Sequence, residues 1–142
     1  MKKYKAFSLV EILIAIVILS TIALLIIPRL AGKTEKARRA AALMDIESGL
    51  ASALDEYEAD NGRYPTSPQG LAALISRPTK SPIPNNWQGP YLKKKRYIDP
   101  WGHEYVYRSP GAHNRDSYDL SSYAADGMPG GMDIDADINN WE

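Results

Sequence analysis

The chain has 142 residues, 17 basic and 17 acidic, and no cysteine. That length holds one membrane helix and one small domain. A disulfide is excluded, so a small core has to be supported by a bound metal or by assembly into an oligomer. The basic residues gather beside an apolar run and do not interleave with aromatics, which argues against nucleic acid as a partner.

Phe7 to Ile27 is an apolar run of 21 residues broken by one charge, Glu11, and preceded by Lys2, Lys3 and Lys5. A run of this length spans a bilayer as a helix. The basic stretch keeps the N-terminus cytoplasmic and sends the rest of the chain across. A carboxylate in lipid costs about 2.5–3.5 kcal/mol on insertion scales, so Glu11 needs a partner.

Residues 29–61 read as a continuation of the helix behind Pro28, which is tolerated at a helix start or as a kink. Leu43, Ile46, Leu50, Leu54 and Tyr57 form one apolar stripe, and Asp45, Glu47, Asp55, Glu56 and Glu58 occupy the other face. Arg29, Lys33, Lys36, Arg38 and Arg39 precede that acidic stretch. They suit anchoring to lipid headgroups or pairing with acids of a neighbouring subunit. Asn61-Gly62 is a helix stop.

Residues 62–96 form a proline-rich loop that carries apolar side chains able to pack, with a short helical turn expected over Gly70 to Ser76. Tyr97, His103 to Arg108 and Tyr118 to Tyr123 read as short strands. Asp99-Pro100-Trp101-Gly102 reads as a turn before a strand. The expected fold is α+β: a long N-terminal helix, its first half transmembrane, packed on a small antiparallel sheet.

The stretch from Asp126 to Asp137 is the one plausible ligand-binding segment. Carboxylate and carbonyl oxygens suit Ca²⁺, and glycines let the backbone turn its carbonyls inward. Asp133-x-Asp135-x-Asp137 begins like an EF-hand loop, but Ile138 stands where that loop requires Gly. A solvated acidic tail is the alternative. His103 and His113 have no zinc-type spacing and read as surface or packing residues. No phosphate loop, nucleophile elbow or other catalytic constellation is present, so the expectation is a protein that is not an enzyme.

Ala6-Phe7-Ser8-Leu9-Val10-Glu11 closely resembles the processing site of type IV pilins and pseudopilins. The resemblance implies a leader of residues 1–6, removed by a prepilin peptidase between Ala6 and Phe7, with N-methylation of Phe7. Glu11 then becomes the fifth mature residue and Pro28 the twenty-second. Ala6 stands where the family usually has Gly. Without Lys2, Lys3 and Lys5, 14 basic residues face 17 acidic ones, so the mature chain is mildly acidic. Cleavage frees an α-amino group, a cation that attracts Glu11 strongly in a low-dielectric core. The partner can be the Glu11 of a neighbouring subunit, and such a pair would set a stagger along a filament.

Asn61-Gly62-Arg63-Tyr64-Pro65, Gln69-Gly70-Leu71, Gly89-Pro90-Tyr91-Leu92, Asp99-Pro100-Trp101-Gly102, Ser122-Tyr123-Ala124-Ala125-Asp126-Gly127 and Trp141 occur in that order. Together they resemble the major-pseudopilin family of the type II secretion system. The resemblance implies an assembly helix over 7–28 and a periplasmic domain over 29–142, with a helix to 61, a loop to 96, then the sheet and a calcium loop. It implies a Ca²⁺ site made by Asp126 and Asp133 carboxylates with main-chain oxygens near Tyr123 and Met128, and Asp135 as a further candidate. It implies an inner-membrane precursor that polymerises with copies of itself into a periplasmic filament for export of folded proteins. The implied partners are minor pseudopilins, an inner-membrane assembly platform and a cytoplasmic ATPase. Two alternatives are a type IV pilus subunit for adhesion, motility or DNA uptake, and a membrane-anchored calcium-binding module that never polymerises.

Overall fold

The computed structural model describes residues 8–93 and 97–142, with backbone alone over 23–33. The chain divides into two compact units, Met1–Lys36 and Ala37–Glu142.

In the first unit, helix α1 (Leu9–Met44) begins where the Ser8 carbonyl accepts the N–H groups of Glu11 and Ile12 at 3.0 and 3.2 Å. Glu11 lies in the first turn, where the helix dipole favours an acid. The helix backbone runs through Pro28 instead of restarting after it. Every apolar side chain described from Leu9 to Ile22 is exposed, with Leu9 at 76% and Leu19 at 66%. A helix apolar on all sides has to be covered by lipid or by other helices. Among the described residues no helix is long and apolar enough to cross a membrane. The expected 7–28 span includes Phe7 and the side chains from residue 23, which lie outside the described residues.

In the second unit, the last turns of α1 lead into a π-helical turn, Asp45–Gly49, and then α2 (Leu50–Asn61). Ala42, Ile46, Leu50, Ala53, Leu54 and Tyr57 are buried along one side. Leu43, expected on this stripe, is 41% exposed, and Ala42 takes its place. At about 100° per residue, Ala42 lies roughly 40° from Ile46 on one side and Leu43 roughly 60° on the other, so the smaller residue fits the closer contact. A π turn takes more residues than an α turn and re-phases the stripe. Here it brings Ile46 and Leu50 into the same core while Asp45 Oδ2 accepts the Tyr105 hydroxyl at 3.2 Å. Gly62, left-handed at φ 72°, ends α2 as Asn61-Gly62 requires, and its N–H donates to the Glu58 carbonyl at 2.7 Å.

The proline-rich loop packs through a 3-10 turn, Leu71–Leu74, within the span expected to turn. Trp87 Nε1 donates to the Ala73 carbonyl at 2.9 Å, and its ring meets Tyr91 edge-on at 5.8 Å. Tyr91 in turn meets Tyr57 edge-on at 5.5 Å. Tyr64 and Tyr107 both contact Tyr118, where burial, with Asp55 and Tyr64 nearby, pushes the phenol up to about 12.

The sheet has three antiparallel strands in the order β1 (Val106–Arg108), β2 (Asp119–Ser122) and β3 (Ile138–Asn139). Val106 pairs with Ser121, and Ser122 with Ile138. All four β2 residues are buried. The Tyr97 region does not supply a strand: Ile98 and Glu104 form an isolated bridge around the Asp99–Gly102 turn. The third strand comes instead from the end of the acidic segment, where Ile138 buries its side chain against the core.

Candidate functional site

The acidic segment, residues 123–137, is held at both ends by groups that the fold makes rigid. At its start, Asp99 is buried in the turn before the sheet, and its Oδ1 accepts the N–H groups of Trp101 and His103 at 3.0 and 2.8 Å. The Ser122 hydroxyl donates to Asp99 Oδ2 at 2.6 Å and accepts the Ala124 N–H at 3.1 Å. His103 Nδ1 lies 3.1 Å from the Ala124 carbonyl. At its far end, Arg39 Nη1 donates to the Ala136 carbonyl at 2.7 Å, and β3 follows.

Between these anchors the backbone coils tightly. Ala124 and Asp133 are left-handed at φ 49° and 56°, and Gly131 at 91°. A Cβ on Gly131 would collide with the Asp135 carbonyl, so the turn requires glycine there. The Tyr123 carbonyl accepts the Gly127 N–H at 3.2 Å, and Asp126 Oδ1 accepts the Met128 N–H at 3.0 Å, so both oxygens take part in the local turn. Met128 and Asp133 are exposed, and Asp135 is half-buried in the 3-10 turn Asp133–Asp135. Among the described residues no three carboxylate or histidine groups come close enough together to hold a metal ion. The residues expected as ligands, Tyr123, Asp126, Met128, Asp133 and Asp135, share this one loop.

Asp137 was not among those expected ligands. Its Oδ2 accepts the Gly130 N–H at 2.9 Å, while its Oδ1 is buried with no hydrogen-bond partner. Its place in the Asp133-x-Asp135-x-Asp137 alternation marks it as an acid. Only the fold shows that one of its oxygens is enclosed.

The start of the central strand β2 holds a second carboxylate centre. Asp119 Oδ2 accepts the N–H groups of Ala112 and His113 at 2.7 and 3.0 Å, and Oδ1 accepts that of Asn114 at 2.9 Å. His113 Nδ1 is 3.2 Å from Oδ2, and the imidazole stacks on Trp141 at 4.1 Å. Burial alone would raise the Asp119 pKa. The backbone N–H groups of Asn114, His113 and Ala112, with the His113 side chain, outweigh it and hold the carboxyl down at about 2. The arrangement pins a loop and the C-terminal tryptophan. His113, read from the sequence as a surface or packing residue, is exposed and stacks on Trp141.

Residues 29–141 match the family described as Type II secretion system (T2SS), protein G, and residues 1–27 match the prokaryotic N-terminal methylation motif. The chain belongs to the type II secretion protein G family. A type II secretion system core protein G from Pseudomonas aeruginosa is 42% identical over 141 residues, covering 99% of this chain and 97% of that protein. One from Dickeya chrysanthemi is 46% identical over 141 residues, covering 99% of this chain and 88% of that protein. The crystal structure of the major pseudopilin from the type 2 secretion system of enterohaemorrhagic Escherichia coli matches with a TM-score of 0.66 at 40% identity, covering 80% of this chain and 95% of that one. The long helix and three-stranded antiparallel sheet of this protein G family member are the pseudopilin fold. Its methylation motif contains Ala6, Phe7 and Glu11. Ala6 and Phe7 lie outside the described residues, and Glu11 is exposed on α1.

Proposed function

We propose that this chain is the major structural subunit of a type II secretion pseudopilus, a periplasmic filament that drives export of folded proteins across the outer membrane. The observation that carries the reading is the protein G family match over 29–141, joined to a methylation motif over 1–27. The structure supports it through the exposed apolar stretch of α1 from Leu9 to Ile22, in which Glu11 is the one carboxylate. The precursor sits in the inner membrane as a single-pass protein with its C-terminal domain in the periplasm. A prepilin peptidase cuts between Ala6 and Phe7, and Phe7 is N-methylated. Glu11 then receives the free amine of an adjoining subunit as the helix moves from lipid into the filament. The subunit does no chemistry itself. Assembly draws on the inner-membrane platform, the cytoplasmic ATPase and minor pseudopilins.

Ca²⁺ belongs to this reading. The acidic loop is rich in carboxylate and main-chain oxygens, donors that suit a hard cation. Asp126 and Asp133 would hold it with main-chain oxygens of Tyr123 and Met128, and Asp135 is a further candidate. The bound ion would neutralise the clustered carboxylates and tie the loop together.

The test is co-expression of the full chain with the secretion machinery. Mass analysis of the membrane-extracted protein should find a chain that begins at methylated Phe7, and electron microscopy should find filaments containing it. An intact leader, or a processed protein that never polymerises, refutes the reading.

A further inference from the structure

The second unit carries an apolar helix face that its own core does not use. Ala42 and Ile46 turn toward the core. At about 100° per residue, Ala37, Ala40, Ala41 and Met44 fall on the opposite side of α1, and all four are exposed, Met44 at 70%. Leu43, also exposed, borders them. The outward side of a helix packed on a small domain ordinarily carries charge, so an apolar one calls for a covering partner. The sequence at its start is basic: Arg29, Lys33, Lys36, Arg38 and Arg39, with Glu35 the one acid among them.

A second apolar surface lies on the acidic loop. Met128, Met132 and Ile134 are exposed, at 64%, 83% and 54%. They are interspersed with Asp126, Asp133 and Asp135, and no lysine or arginine follows Arg115 in the chain. Both sets of side chains stay exposed in the single chain, so neither covers the other within one copy. The two surfaces match twice, apolar against apolar and basic against acidic. Methionine is unbranched and adapts to its surroundings, which suits Met128 and Met132 to a shallow face of alanines.

We infer that the helix face around Met44 of one copy receives the loop segment 128–134 of a second copy. The inference rests on the filament reading above and names one of its contacts. Two different surfaces meet, so the contact is heterologous and repeats from copy to copy instead of closing as a two-fold dimer. A divalent cation in the loop would cancel two of the charges on Asp126, Asp133, Asp135 and Asp137 and leave the others to face the basic stretch.

The chain has no cysteine, so a pair of introduced thiols reports this contact without background. The full chain is co-expressed with the secretion machinery, and filaments identified by electron microscopy are oxidised and run on a non-reducing gel. Met44→Cys and Met132→Cys in one chain should give a ladder of disulfide-linked multimers. Each single variant should run as a monomer, and co-expression of the two single variants should stop at dimers. Charge gives a second readout. Met44→Asp sets a carboxylate against the acidic loop and should lower filament yield about tenfold, whereas Met44→Lys should keep most of it. Met44 is largely exposed, so both substitutions leave the fold intact. Three results overturn the inference and leave the filament reading standing: filaments of the double variant without a ladder, a Met44→Cys bond to its own counterpart or to another protein of the machinery, and equal yields from the Asp and Lys variants. A wild-type chain that forms no filaments overturns both.

Discussion

Replacing Asp119 by Asn removes a charge while keeping the shape of the side chain. The wild-type carboxylate, 6% exposed, accepts three backbone N–H groups at 2.7 to 3.0 Å and lies 3.2 Å from the His113 ring. An Asn amide can accept on one side only, and its NH₂ would point a donor at N–H groups that are themselves donors. The carboxyl falls from 3.8 to about 2 on folding, which at 1.36 kcal/mol per unit corresponds to about 2.5 kcal/mol of stability at pH 7. That is a sizeable share of the roughly 5–15 kcal/mol of a whole domain. Because the folded value lies below the unfolded one, the unfolded chain takes up the proton first. The contribution is complete above about pH 5 and about half gone at pH 3. Urea unfolding of the full chain in non-ionic detergent, followed by tryptophan fluorescence at pH 7 and pH 3, reads both numbers. Asp119→Asn should lose about 2–3 kcal/mol at pH 7, and the gap to the wild type should narrow by about 1 kcal/mol at pH 3. A variant as stable as the wild type at pH 7, or a gap that does not change with pH, refutes the reasoning.

The Tyr57 hydroxyl is buried with no partner, so Tyr57→Phe should leave the urea midpoint unchanged or raise it, by up to about 1 kcal/mol; a loss larger than that would reveal a hidden partner. Glu11→Ala should insert into membranes as well as the wild type or better, since a charge leaves the lipid, yet filament yield should fall sharply. Normal filaments from a correctly processed Ala variant would remove Glu11 from assembly. Chelation should lower the melting temperature, because a ligand at a hundredfold excess over its dissociation constant adds about 2.7 kcal/mol to the folded state. Asp126→Ala and Asp133→Ala should each abolish the rise that added Ca²⁺ produces, and identical melting of the wild type with Ca²⁺ and with chelator would leave the loop a solvated tail.

The parts of this fold visible in the sequence were those set by local chemistry. Asn61-Gly62 ends α2 because only a left-handed residue lets the chain turn away there, and Asp99 to Gly102 makes a turn because its side chain caps its own backbone. The family was visible because many such local pieces occur in a fixed order. What stayed hidden depends on partners distant in the chain. β3 is two residues long, too short to show alternation, and exists because Ile138 reaches the core and pairs with Ser122. The π turn leaves the apolar spacing readable as helix and alters only its phase. At the candidate site, the sequence showed which residues carry oxygen. It did not show that Asp137 has an enclosed oxygen, since that follows from the path of the loop and from Gly130. Nor did it link Arg39 to Ala136.

The outer strands of the sheet, β1 and β3, are three and two residues long. A long open edge would offer a row of unpaired N–H and C=O groups to any neighbouring copy, and subunits crowded together would join through it in the wrong way. Edges this short give a second copy almost nothing to add a strand to. Strand pairing between copies along these edges therefore competes little with growth through the helices.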